Sequence, residues 1–247
     1  MTRRKRTLLI PWLNDDTPFP PVESALQSPN GLLAAGGSLS ASRLLDAYRH
    51  GIFPWFNPGE PILWWSPDPR MVLIPGEFKA SRSLIKILRK SAYEVRIDTA
   101  FEQVMRACAA PRDGHNGTWI SEDMIAAYFA LHQSGYAHSV EVWMKDKLAG
   151  GLYGVSIGHM FYGESMFSNI SNASKIALAH LAKQLERWQL GRTTGFGTVI
   201  IDCQMNTSHL ASLGAREIPR SEFIARLQEL VHCAPVTNWQ FDADLFK

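Results

Sequence analysis

Cysteine is scarce in this chain. Three residues in 247, Cys108, Cys203 and Cys233, form no C-x-x-C pair and leave an odd number, which argues against a disulfide framework and a thiolate zinc site. Metal-ligand histidine spacing is absent as well: no H-E-x-x-H occurs, and neither His132 nor His138 has a partner four residues on, so no metal is expected. No apolar run approaches the roughly 18 residues needed to cross a bilayer. The stretch from Thr7 to Leu13 contains Pro11, runs into Asn14, Asp15 and Asp16, and lacks a small-residue cleavage site, so we expect no signal peptide. Net charge is small too, with 25 Lys plus Arg against 23 Asp plus Glu. Together these shortages predict a cytoplasmic protein in a reducing compartment, with no membrane partner, no metal and no cofactor.

What is present is apolar material and unevenly placed cations. A hydrophobic fraction of 46% can build a sizeable core, so disorder is not expected. Arg3, Arg4, Lys5 and Arg6 form one basic run, and Lys79, Arg82, Lys86, Arg89 and Lys90 a second with no acid inside it. Residues 10–70 are dense in proline, from Pro11 to Pro69, and read as a loop-rich smaller domain with one helix capped by Ser40 or Ser42 and ended by Gly51. From about Met71 the pattern becomes an alternation of helices and strands. We expect helices over 81–90, 99–109, 121–132, 173–189, 207–213 and 221–231. Strands are expected over 93–97, 138–144, 147–156, 159–167 and 198–204, three of them consecutive and antiparallel. The fold class is therefore α+β, with domains over 1–70 and 71–247 and a mixed, mostly antiparallel sheet flanked by helices.

Several motifs fail on context. Gly154-Val-Ser-Ile-Gly158 matches a nucleophile elbow, which requires a strand-to-helix turn, yet here it falls at a hairpin between strands. Gly31 to Ser38 has P-loop spacing but puts Gly37 where the phosphate-reaching lysine belongs. Arg192 to Gly197 resembles the pyrophosphate loop of acetyl-coenzyme A transferases, but it leaves a helix and enters a strand, so the helix N-terminus that such a loop uses is missing; a plain connection capped by Gly191 is the simpler reading.

Three patterns carry chemistry. Arg82, Lys86, Arg89 and Lys90 fall on one helix face, with Leu84, Ile85 and Leu88 opposite; the stripe is either a solvated face or a surface for an RNA backbone. Ile200-Ile-Asp202-Cys-Gln204 sets a carboxylate and an amide on one face at the end of a buried strand, where they either brace the next loop or handle protons and orient an amine. Glu164 lies among Met160, Phe161, Met166 and Phe167 and needs a positive partner, whether a protein cation or the ammonium of a substrate.

At these residues the chain resembles the leucyl/phenylalanyl-tRNA-protein transferases, bacterial enzymes of the N-end degradation pathway. The likeness runs through Ile10–Leu13, Phe19–Pro21, Pro29–Leu33, Tyr48–Phe56, Leu63–Arg70, Gly117–Ile120, His138–Trp143, Gly150–Gly154, Gly163–Phe167 and Ile201–Gln204. It implies an acetyltransferase-like (GNAT-type) C-terminal domain in which charged tRNA takes the place of coenzyme A. It also implies transfer of Leu, Phe and less well Met from aminoacyl-tRNA to proteins beginning with Arg or Lys, by a monomer. Carried onto matching positions, it makes Asp202 and Gln204 the catalytic pair, with Asp202 taking the amine's proton directly or through Gln204. Glu164 falls beside the aminoacyl adenosine, Trp55, Trp119, Leu152, Phe161 and Ile201 around the substrate, and Arg82, Lys86, Arg89 and Lys90 against the acceptor stem. The rival readings are a coenzyme A-dependent N-acetyltransferase, which would bind acetyl-coenzyme A, and a non-catalytic RNA-binding protein, which would leave the buried Asp202 and Gln204 unexplained.

Overall fold

A computed structural model describes residues 10–90, 92–111, 118–190 and 198–246. The basic run at Arg3 to Arg6, most of the polar loop after Pro111, and the Arg192 to Gly197 connection with Gly191 lie outside the described residues.

The proline-dense segment is less irregular than its composition predicts. β1 (Trp12–Leu13), β2 (Leu32–Gly36), β3 (Phe53–Pro54) and β4 (Leu63–Trp65) assemble into a sheet of order β1-β2-β4-β3, with α1 (Ala41–Arg49) between β2 and β3. Each strand is two to five residues long, too short for alternation to announce it. α1 begins where expected, with the Ser40 hydroxyl accepting from the Arg43 amide at 3.3 Å.

The rest builds the larger sheet. β5 (Arg70–Leu73), α2 (Arg82–Leu88), β6 (Glu94–Ile97), α3 (Phe101–Ala109), α4 (Glu122–Gln133), β7 (Ala137–Met144), β8 (Lys147–Ile157) and β9 (Met160–Ser168) come first. α5 (Ala173–Leu190), β10 (Ile200–Gln204), α6 (Ser208–Ser212), β11 (Arg216–Ile218) and α7 (Arg220–Leu230) follow. The strand order is β11-β5-β10-β9-β8-β7-β6, antiparallel except for the β9–β10 pair. β5 and β11 escape the sequence reading, being four and three residues long and flanked by prolines. Ser81 and Ser121, where the helices over 81–90 and 121–132 are expected to begin, cap α2 and α4, accepting from Leu84 and Met124 amides at 3.2 Å.

Because strand side chains alternate between faces, the sheet separates two cores. On one face Tyr153, Tyr162 and Ile200 join α3, α4, α7 and the small sheet in a continuous cluster. On the other, Leu152, Phe161 and Ile201 pack with α2 and α5, and Trp239, Phe241 and Phe246 of the C-terminal segment lie against them. β9 and β10 pair from Ile200 opposite Met160 to Asp202 opposite Tyr162. Beyond that β9 continues alongside β8 while β10 ends at Gln204 opposite Met71, so a gap opens between the two strands. Among the described residues no helix is long and apolar enough to cross a membrane.

Candidate active site

The gap between β9 and β10 is a cavity of about 390 Å³. Leu152, Phe161, Leu178, Leu181 and Ile201 make its floor apolar, and Glu164, Ser165 and Gln204 bring polar groups to its strand side. Phe161 fits there because Gly154 has no side chain: a Cβ on Gly154 would stand 2.6 Å from the Phe161 ring. The glycine of the supposed elbow motif thus serves ring packing, and Ser156 lies within β8 rather than at a strand-to-helix turn.

Asp202 and Gln204 stay on the same strand, as expected, but only Gln204 lines the cavity. Asp202 is fully buried against Arg70, whose side chain is equally inaccessible. Arg70 Nε donates to Asp202 Oδ1 at 2.8 Å and Nη2 to Oδ2 at 2.7 Å, a two-pronged charge-assisted contact. Nη1 donates to the Gly51 carbonyl, and the guanidinium sits over the rings of Phe53 and Phe223. Asp202 Oδ1 also accepts the Gln204 backbone N–H at 2.9 Å. That bond holds Gln204 in left-handed backbone (φ 63°), a conformation costly for a residue with a side chain and one that persists where its surroundings enforce it. Both Asp202 oxygens thus have protein partners, and the side chain stands behind Gln204 rather than on the cavity wall.

The carboxylate that does face the cavity is Glu164. Among the described residues no cation pairs with it; instead it accepts from the Tyr48 hydroxyl at 2.7 Å, the Tyr128 hydroxyl at 3.0 Å and Gln204 Nε2 at 3.1 Å. The two tyrosine hydroxyls also touch each other. Burial pushes Glu164 up from the usual carboxylate value to about 7, opposed by the two tyrosine hydrogen bonds and aided by the negative charge of Asp202. Burial first, and then the Glu164 charge, hold Tyr48 and Tyr128 well above their ordinary range, so both remain neutral donors. Cys203 also lines the cavity, but burial raises its thiol so far that no thiolate nucleophile forms.

Of the residues expected at the site, Leu152, Phe161, Glu164, Ile201 and Gln204 come together in this cavity. Trp55 and Trp119 do not line it. Trp55 is 37% exposed beside Trp65, whose indole N–H donates to the Trp55 carbonyl, and Trp119 packs on the opposite-face core. Arg82, Lys86 and Arg89 are exposed along or just after α2, and Lys90 lies beyond its end. Ile85, expected to be covered, is 37% exposed among them. Arg70, Tyr48 and Tyr128 are the participants that pattern reading passes over.

A family model described as leucyl/phenylalanyl-tRNA protein transferase matches residues 72–228, and one for that family's N-terminal domain matches 37–68. The chain is 64% identical to the leucyl/phenylalanyl-tRNA–protein transferase of Nitrosomonas europaea, over 95% of this chain and 96% of that one. It is 63% identical to that of Nitrosospira multiformis, over 95% and 98%. The protein of the same name from Thiobacillus denitrificans is 64% identical over 91% and 96%. Among solved structures, a conserved Bacteroides thetaiotaomicron protein of unknown function aligns with a TM-score of 0.38 at 13% identity, over 66% of this chain and 56% of that one.

Proposed function

Because the chain belongs to the leucyl/phenylalanyl-tRNA protein transferase family, we propose that it moves leucine, phenylalanine and, less well, methionine from aminoacyl-tRNA onto the N-terminal α-amine of proteins beginning with Arg or Lys. The observation that carries this reading is a cavity with an apolar floor and, at its polar side, a carboxylate that accepts hydrogen bonds from three neutral donors. The floor takes the side chain of the aminoacyl group. An unbranched β-carbon suits a slot between Leu152, Phe161 and Ile201, and pocket volume sets the choice of substrate. Trp55 offers an exposed aromatic face to a base, and Arg82, Lys86, Arg89 and Lys90 a basic stripe to the acceptor stem. The parting of the parallel strands β9 and β10 supports an acetyltransferase-like domain over 71–247, with 1–70 as a smaller unit beside it.

The ester in aminoacyl-tRNA is already activated, so the protein has to position, deprotonate and stabilise. Gln204 gives one amide hydrogen to Glu164, which leaves its carbonyl oxygen to receive an N–H of the incoming amine. Glu164 takes the amine's proton. The nitrogen then bonds to the ester carbonyl carbon, the bond from that carbon to the ribose oxygen breaks, and Glu164 returns its proton to the ribose oxygen as it leaves. A group near 7 holds and releases a proton at neutral pH with little cost in either direction. Asp202 and Arg70 act behind this as positioning residues, fixing the backbone that aims Gln204.

The test is direct. Purified protein incubated with leucyl-tRNA and a peptide beginning with Arg should add the mass of one leucine residue, and the same peptide with an acetylated N-terminus should gain nothing. An unchanged free peptide, or acetyl transfer from acetyl-coenzyme A instead, would overturn the reading.

A further inference from the structure

The cavity has a second set of walls that this chemistry leaves unused. α5 closes one side through Leu178 and Leu181, and α6 with its cap closes another through Thr207, His209 and Leu210. Lys175 precedes Leu178 by three residues, so it lies on the same face of α5, one turn nearer the helix start and above the apolar floor. Burial and the charge of Lys175 both depress the His209 imidazole, so the two side chains lie within electrostatic reach of each other. Among the described residues neither is ion-paired with a carboxylate. His209 therefore brings a hydrogen-bond donor to the cavity wall, and Lys175, one turn before Leu178 on α5, a charged one close to it.

What enters the cavity supplies one. An aminoacyl adenosine at the end of an RNA strand continues through a phosphodiester on its 5′ oxygen, and the strand must leave by the mouth. A basic surface lies on the helix next to α5. α2 packs on α5, and its Leu88 carbonyl accepts from the Tyr93 hydroxyl, which also bonds His180 on the second turn of α5. Arg89 and Lys90 follow at that end of α2. We propose that Lys175 and His209 form a phosphodiester subsite at the cavity mouth, which grips the phosphate next to the terminal adenosine; this rests on the transferase reading of the same cavity. His209, neutral until the anion docks, donates an N–H to one phosphate oxygen, and the Lys175 ammonium donates to another.

Two small substrates test it: 3′-leucyl adenosine and the same ester carrying a 5′-phosphate, each with the Arg peptide as acceptor. The native protein should favour the phosphorylated ester by about tenfold in kcat/KM, expressed in KM. In Lys175→Ala/His209→Ala that preference should fall to within about twofold, whereas Lys175→Arg should keep it. With leucyl-tRNA, the double variant should also flatten the dependence of log KM on log salt by about 0.7, the share of one phosphate on a single strand. A preference retained in the double variant, or absent from the native protein, overturns the subsite. No transfer by the native protein from either ester or from leucyl-tRNA overturns the transferase reading, and the subsite with it.

Discussion

β9 and β10 each carry one buried carboxylate near the point where they part, and the two sit in opposite surroundings. Asp202 has a guanidinium clamped to both its oxygens and no cavity beside it. Glu164 has three neutral donors, no cation paired with it among the described residues, and a cavity in front of it. A carboxylate paired with a buried guanidinium holds backbone in place and is held in its charged form. A carboxylate satisfied only by neutral donors keeps its affinity for a proton. Burial therefore does different work in the two places: it makes the Asp202–Arg70 contact costly to break, and it raises the affinity of Glu164 for a proton, as the base proposed above requires.

The largest effect expected from that contrast is in Glu164→Gln. The amide keeps one acceptor oxygen for the tyrosine pair, whose hydroxyls also bond each other, but cannot take a proton, so kcat for leucyl transfer should fall by about 10³. The same variant should be the more stable protein at alkaline pH. The folded pKa of Glu164 lies above its ordinary value, so its contribution is complete below about 4.5 and is lost as pH rises through about 7. Glutamine has no such penalty, and thermal unfolding at pH 8.5 should favour it by up to about 3 kcal/mol. Near-normal turnover in this variant would return the proton to Asp202.

Next comes the ion pair. Asp202→Asn leaves the Arg70 charge buried without its counter-ion and should destabilise the fold by about 3–5 kcal/mol, whereas Arg70→Leu/Asp202→Leu should recover most of that loss. Below its melting temperature Asp202→Asn, which keeps an oxygen for the Gln204 N–H, should still transfer leucine at a measurable rate. Loss of all turnover with unchanged stability would reverse the roles assigned to the two carboxylates.

A smaller shift should follow from Tyr128→Phe. It removes a donor that favours the charged form of Glu164, so the carboxyl should rise further and the ascending limb of the pH–rate profile should move to higher pH. At pH 7 the rate should drop about threefold to tenfold and recover at pH 9. An unmoved profile would separate Glu164 from the proton transfer.

Sequence patterns reveal this contrast unevenly. Asp202, Gln204 and Glu164 stand out because a polar group inside an apolar strand requires an explanation. The partners that decide their roles do not. Arg70 lies 132 residues from Asp202, in a proline-rich string whose short strands leave no periodic trace. Tyr48 and Tyr128 are 116 and 36 residues from Glu164 and read only as apolar faces of α1 and α4. Helix starts at Ser40, Ser81 and Ser121 were legible because a cap depends on residues three apart, whereas hydrogen bonds across the fold depend on a topology that local patterns do not encode. Resemblance added Leu152, Phe161 and Ile201, which the cavity does gather, and Trp55 and Trp119, which it does not.

The smallest effect expected lies at the cavity floor, away from both carboxylates. Leu152 is buried with one side against Val140 and Phe161 in the same core and the other on the cavity. Leu152→Ala should therefore enlarge the slot more than it disrupts packing, at the lower end of the roughly 2–5 kcal/mol such a change costs. Leucine would lose contacts that the bulkier phenylalanine keeps. In competition between leucyl- and phenylalanyl-tRNA, the Phe:Leu ratio of kcat/KM should rise by about tenfold, the scale on which apolar pockets discriminate. The pH profile should not move, because no donor to Glu164 changes. An equal fall for both substrates would mean that the floor supports the fold without measuring the side chain; a shifted profile would mean that floor and carboxylate are not independent.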